Sequence, residues 1–223
     1  MGDIFRSTIN VFKKDLISEL RTRYALNSLI MFVLVSISII RFAIGDEKID
    51  NEILSGLLWI VIFFSASGGL SRTFVKEEEK ETSVALKMSV DSAGVFTGKL
   101  LFNFVLTIIL NFLITILFIM ITDYQINNVW GFILVIAIGN IGLVSASTII
   151  AAIISKANSK GTLYPVLSFP VLIPLLVTVI SATKLTSAGA QTGGLYEEFV
   201  ILISYSIVIT TVSLMLFKFV WED

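Results

Sequence analysis

The chain of 223 residues has no cysteine, no histidine and only three prolines. Without the first two there is no Ser-His-Asp or Cys-His dyad, no zinc site of the usual ligands and no disulfide framework. No catalytic or metal-ligating residue is therefore expected, and any chemistry belongs to a partner. Charge is scarce as well: Asp, Glu, Lys and Arg make up 15% of the chain, and a formal net charge of -1 gives no basic footprint for nucleic acid. What fills the chain is apolar. At 56% hydrophobic residues and a mean hydropathy of +0.93, this is the composition of a membrane protein.

Hydrophobic windows fall at about 24–40, 53–71, 100–121, 129–154, 163–182 and 199–217. Spans of about 20 residues suit a bilayer core of roughly 30 Å, so the windows predict six transmembrane helices in one domain over 1–223. A charged stretch precedes the first window with no small-residue cleavage pattern behind it, which predicts a retained helix rather than a signal peptide. None of the windows contains Asp, Glu, Lys or Arg. Proton- and ion-coupled transporters keep such groups at membrane depth, so a self-powered secondary transporter is disfavoured. Of the 16 basic residues, 13 lie in 1–23, 72–99, 155–162 and after the last window, and three (Arg41, Lys48, Lys184) lie in the alternate loops. This asymmetry predicts cytoplasmic N- and C-termini. The small-residue runs Phe64-Ser65-Ala66-Ser67-Gly68-Gly69 and Gly139-Asn140-Ile141-Gly142 permit close helix approach, or serve as ordinary packing faces.

Two elements on the cytoplasmic side stand out. Phe5, Ile9, Phe12, Leu16 and Leu20 recur at helical spacing, with Lys13, Lys14, Asp15, Glu19, Arg21 and Arg23 on much of the remainder, predicting an amphipathic interfacial helix over 3–23. It serves as a topology anchor or as a lever joined to the first span. The 72–99 connection opens with Arg72-Thr73-Phe74-Val75-Lys76-Glu77-Glu78-Glu79-Lys80-Glu81-Thr82. The pairs Val84 with Met88 and Leu86 with Val90 predict a short helix, and Asp91 and Ser92 supply N-cap chemistry for the next one. Such a segment suits docking of another protein, or is a solvated loop. Gly94-Val95-Phe96-Thr97-Gly98-Lys99-Leu100 imitates a phosphate-binding loop, but it is one residue short and has Leu in place of Ser or Thr. Nucleotide binding is not assigned to it.

All three prolines, Pro165, Pro170 and Pro174, fall in the fifth window, which predicts a kinked or broken span, structural or lining a path. The small, polar stretch 183–194 beyond it reads as a re-entrant hairpin or a flexible loop.

Taken in order, an amphipathic N-terminal helix, six spans, a glutamate-rich loop and a proline-rich fifth span resemble the cytochrome c maturation protein B family, also called haem exporter protein B. The local matches are Gly69-Leu70-Ser71-Arg72-Thr73-Phe74-Val75-Lys76-Glu77-Glu78, Gly98-Lys99-Leu100 and Leu163-Tyr164-Pro165-Val166-Leu167-Ser168-Phe169-Pro170-Val171-Leu172-Ile173-Pro174. The resemblance covers essentially the whole chain. It departs after the acidic run, where Lys80-Glu81-Thr82-Ser83-Val84-Ala85-Leu86 stands in place of a Gly-Thr-Leu-Glu-like run.

The resemblance implies an all-α permease domain of ABC type-2 exporter-like fold, a homodimer in the bacterial cytoplasmic (inner) membrane and not an enzyme itself. Its implied partners are a cytoplasmic ABC ATPase subunit, which holds ATP and magnesium, a haem-handling membrane protein, a small single-span subunit and a periplasmic haem chaperone. ATP hydrolysis would be tied to release of the haem-loaded chaperone or to haem export. The chain binds no cofactor of its own, and haem is at most cargo. Phe74, Glu77, Glu78, Glu81 and Thr82, with Phe5 and Phe12 of the N-terminal helix, would couple to the ATPase; Tyr164, Pro165, Pro170 and Pro174 would mark a moving or path-lining helix. An ABC-type permease for a lipid, glycan or drug shares these features, and a membrane scaffold that transports nothing is the rival from another class.

Overall fold

The computed structural model describes residues 2–22, 24–45, 47, 49–79, 82–156 and 160–222. Glu81, one of the expected coupling residues, lies outside them, as does the side chain of Pro165. Nine α-helices are found among the described residues: α1 (Gly2–Thr22), α2 (Tyr24–Ile44), α3 (Asn51–Leu70), α4 (Val75–Glu79), α5 (Ser83–Ser89), α6 (Ser92–Thr122), α7 (Val129–Ser155), α8 (Lys160–Ser187) and α9 (Tyr196–Glu222). No strand accompanies them, and six helices (α2, α3, α6, α7, α8 and α9) are long and apolar enough to cross a membrane. The chain is an all-α, multi-pass membrane protein.

Helix α7 is the axis of the bundle, packed against α3, α6, α8 and α9. Its small residues make this possible. A Cβ added at Gly139 would stand 2.8 Å from the Val179 side chain on α8 and 2.9 Å from the Trp59 ring on α3, so only glycine lets all three helices meet there. Trp59, Leu143, Leu172, Val179 and Leu202 belong to the resulting core. The buried Trp59 indole N–H, which could not be left unpaired in lipid, donates to Thr183 Oγ1 at 2.8 Å.

Helices run past the windows read from hydropathy. At 31 residues, α6 is about 46 Å long, more than a hydrocarbon core of roughly 30 Å, so its first turns stand outside it. Lys99 is thus a residue of α6 and not of the loop before it. Asp91 sits at the N-cap of α6 without a side-chain capping bond.

On the far side of the bundle two pairs of alternatives are each narrowed. Helix α8 is continuous from Lys160 to Ser187, so the prolines do not break it. Pro170 and Pro174 are exposed on its outer side, where the missing donors leave no gap in the core. The Tyr205 hydroxyl of α9 donates to the Val171 carbonyl between them, at 2.9 Å. Nor is there a re-entrant hairpin: residues 183–187 complete α8, and a short 3-10 turn (Thr192–Leu195) leads into α9. Asn127 and Asn128 fasten this connection, their side-chain amides donating at 2.7 Å to the carbonyls of Ser187 and Ala190.

Candidate functional site

The face that α1 turns to the protein is not its apolar stripe. Val11 and Glu19 are buried, with Thr8 and Asp15 partly buried, at spacings of 3, 4 and 4 that form one side of the helix. Phe5 and Leu20, on the apolar stripe, remain 66% and 55% exposed. Ile9, Phe12 and Leu16 between them are half-buried, so the stripe flanks a mixed face that docks on α6. Gly98 permits the contact: a Cβ there would lie 2.7 Å from Val11 Cβ and 2.8 Å from the Thr8 carbonyl oxygen. One step away the Thr8 and Thr97 hydroxyls share a hydrogen bond of 2.7 Å.

Above this contact Lys99 is 1% exposed, and its ammonium donates to Asp15 Oδ2 at 3.1 Å, Glu77 Oε1 at 3.2 Å and the Thr73 carbonyl at 3.0 Å. It also lies over the Phe74 ring, 5.1 Å from the centroid. Three donors, three partners: the buried charge is met on α1 and on the α3–α4 connection at once. Lys14 pairs with Glu77 and, at 3.2 Å, with Asp15, and Lys76 pairs with Glu19. Glu78 faces Lys156, at the end of α7, at 3.7 Å. Burial alone would push the Glu77 carboxyl up. The Lys99 charge, with hydrogen bonds from Lys14 and Thr82, more than reverses that and holds it at about 2. Burial would likewise lower Lys14, and its bond to Glu77 and the neighbouring carboxylates raise it instead.

A second layer fixes the connection from behind. Phe74 is fully buried, with ring centroids 5.4 Å from Phe217 and 5.9 Å from Trp221 of α9, and Phe96 lies 4.9 Å from Phe217. Tyr164 belongs to the same buried cluster as Phe74, so a residue expected on the moving helix and one expected at the coupling end share one core. Leu86 and Val90 of the α5 segment pack against it. Val84 and Met88 do not: they are 62% and 85% exposed. A clasped platform with an open apolar edge is thus presented on the α1 side of the bundle.

A family model described as CcmB protein matches residues 6–220. The chain belongs to the CcmB family. No curated protein matches it. The CcmB family supplies a membrane component, permease-type, of the haem exporter of cytochrome c maturation.

Of the residues expected at a coupling site, this CcmB family member brings Phe74, Glu77 and Thr82 together, the Thr82 hydroxyl donating to Glu77 Oε2 at 2.7 Å. Glu78 is adjacent and accepts from Ser83 at 3.2 Å. Phe5 is exposed and Phe12 half-buried on α1, and the residues that join α1 to the platform are Lys14, Asp15 and Glu19. Hydropathy reading also passed over a polar seam between α6 and α7. Thr73 donates to Asn103 at 3.1 Å, Asn103 to Thr148 at 2.9 Å, and Asn111 to Asn140 at 3.0 Å. The signal available in this sequence is the recurrence of Lys99, Asn103, Thr107 and Asn111 every four residues on one face of an otherwise apolar helix.

Proposed function

We propose that this CcmB family member is the permease subunit of an ABC-type complex of cytochrome c maturation in the bacterial inner membrane, with both termini cytoplasmic. It works as a homodimer and turns ATP hydrolysis by a cytoplasmic partner into helix movement. That movement releases the haem-loaded periplasmic chaperone or exports haem. ATP and magnesium reside in the partner, and the haem-handling membrane protein and the single-span subunit complete the assembly.

One observation carries this reading: Phe74 and Glu77 of the coupling segment, with Leu86, are held to α1, α6 and α9 at once by the Lys99 ion cluster and the Phe74 aromatic cluster. Force applied to such a segment passes to whole helices instead of being lost in a loop. Glu77 and Thr82 brace it, Glu78 ties it to α7, and Val84 and Met88 offer the apolar edge to the ATPase. Tyr164 connects it to α8, whose prolines Pro165, Pro170 and Pro174 ease the bending of that helix during the cycle.

The test replaces the exposed edge and spares the clasp. In Val84→Glu with Met88→Glu, the protein reaches the membrane normally, while ATPase co-purification and cytochrome c maturation are lost. Normal maturation with ATPase retained overturns the assignment. Maturation that persists when ATP hydrolysis is blocked in the complex points to the scaffold.

A further inference from the structure

Beside the clasp lies a cavity of about 590 Å³ lined by α1 to α6, within the roughly 300–1,000 Å³ of small-ligand sites. Its two ends differ. At the level of α1 the rim holds Lys14, Ser28, Arg72, Lys76 and Lys99, together with the carboxylates Asp15, Glu19 and Glu77. Deeper in the bundle the walls are Leu29, Phe32, Phe64, Phe102 and Leu106, with Gly68 on one side. From Arg72 to Phe64 along α3, and from Lys99 to Leu106 along α6, the helical rise gives an apolar depth of roughly 10 Å. Phe32 and Phe64 are both lining residues and 42% and 51% exposed, so the deep end opens sideways on the membrane-facing surface.

The rim lysines are already compensated: Lys99 by Asp15 and Glu77, Lys14 by the same pair and Lys76 by Glu19. Arg72 takes part in none of the ion pairs among the described residues and is exposed at the rim. One uncompensated guanidinium above an apolar slot matches one phosphodiester above acyl chains. Its planar fork suits two phosphate oxygens, and the slot suits chains entering from the side.

We infer that this cavity is the binding site of a resident anionic phospholipid from the leaflet that carries α1. Its phosphate sits against Arg72 and its acyl chains run along Phe64, Phe32 and Leu106. A free phosphate would use the rim and leave the apolar depth empty. Because Lys14, Asp15 and Glu77 belong to both cavity and clasp, the bound lipid braces α1 against α3 and α6. The site shares Glu77 and Thr82 with the coupling segment, but lipid retention is read without ATP, so this inference and the coupling reading fail on different measurements.

Native mass spectrometry of the full chain, purified from its own membranes in mild detergent, reads the bound lipid directly. Wild type retains one phosphatidylglycerol-class adduct through delipidation, and added phosphatidylglycerol restores it where phosphatidylcholine and inorganic phosphate do not. Arg72→Gln, a change at an exposed side chain, weakens retention about tenfold, as loss of charge-assisted bonds to a phosphate does. Gly68→Leu fills the slot: a Cβ there meets only Leu29 at an ordinary 3.5 Å, so the helix contact survives while the longer side chain blocks the chains, and retention is lost. Equal retention in wild type and both variants, restoration by phosphate or phosphatidylcholine alone, or a retained mass that is not a lipid each overturns the inference.

Discussion

Lys99 of α6 and Asp15 of α1 meet at 3.1 Å although 84 residues separate them, and the lysine side chain is 1% exposed. Because the ammonium also serves Glu77, it is the shared cation of two carboxylates from different elements. Removing it leaves two acidic groups in a partly buried site with Lys14 alone. Lys99→Met therefore destabilises the protein by about 3–5 kcal/mol, while the triple variant Lys99→Met, Asp15→Asn, Glu77→Gln recovers most of that loss. Thermal unfolding in detergent, followed by helical circular dichroism, checks both. A triple variant no better than the single would show that the ions act independently.

The same cluster sets a pH window. The Glu77 carboxyl titrates at about 2 when folded against 4.5 as its ordinary value, so its folded pKa is depressed. Its contribution is complete above 4.5 and disappears as pH falls from there toward 2. Melting temperatures of wild type and Glu77→Gln should differ by a constant amount between pH 5 and 8 and converge below 4.5. A difference that disappears as pH rises above 6 contradicts the geometry.

Close contact of α1 with α6 depends on the missing side chain at Gly98. Gly98→Ala places a methyl 2.7 Å from Val11 Cβ and against backbone, which a side-chain rotation cannot relieve. Overpacking of this kind costs about 1–3 kcal/mol. Since the chain has 0 Cys, Thr8→Cys with Thr97→Cys gives a clean reporter. The pair should cross-link under mild oxidation in an otherwise native background and much more slowly with Gly98→Ala added.

Between α6 and α7 the Asn111 amide donates to Asn140 Oδ1 with both side chains buried. Asn140→Leu strands Asn111, and the double replacement by leucine removes the need for a partner. A double-mutant cycle read by thermal unfolding should give a coupling of about 0.6–2 kcal/mol, the range found for polar pairs between membrane helices. Additive losses would mean the two amides are satisfied separately.

Much of this architecture is legible in one sequence. Six spans follow from runs of apolar residues that have one way to satisfy their backbone in lipid, and α5 follows from the spacing of Val84, Leu86, Met88 and Val90. The helix over 3–23 is legible too, yet its orientation is not. Periodicity detects Phe5, Ile9, Phe12, Leu16 and Leu20, a stripe exposed at its two ends and half-buried between, whereas Thr8, Val11, Asp15 and Glu19 share no chemical character and are united only by what they touch. Lys99 was hidden for a similar reason. A lysine just outside a hydrophobic window counts as loop charge until the helix is seen to begin at Ser92. Of the kinked or broken span that the prolines suggest, the break is absent: a sequence records the lost donors of Pro170 and Pro174 but not that both side chains lie outside the packed core.

Phe74 rests on Phe217 and Trp221, and Phe96 on Phe217, which places the last turns of α9 beneath a platform made more than a hundred residues earlier. During synthesis the platform can be inserted and helical long before its support exists. A nascent chain in which residues 217–221 have not yet emerged holds the earlier helices with the undersides of Phe74 and Phe96 bare. Until those turns arrive, the platform carries an apolar underside of the kind that quality-control machinery recognises.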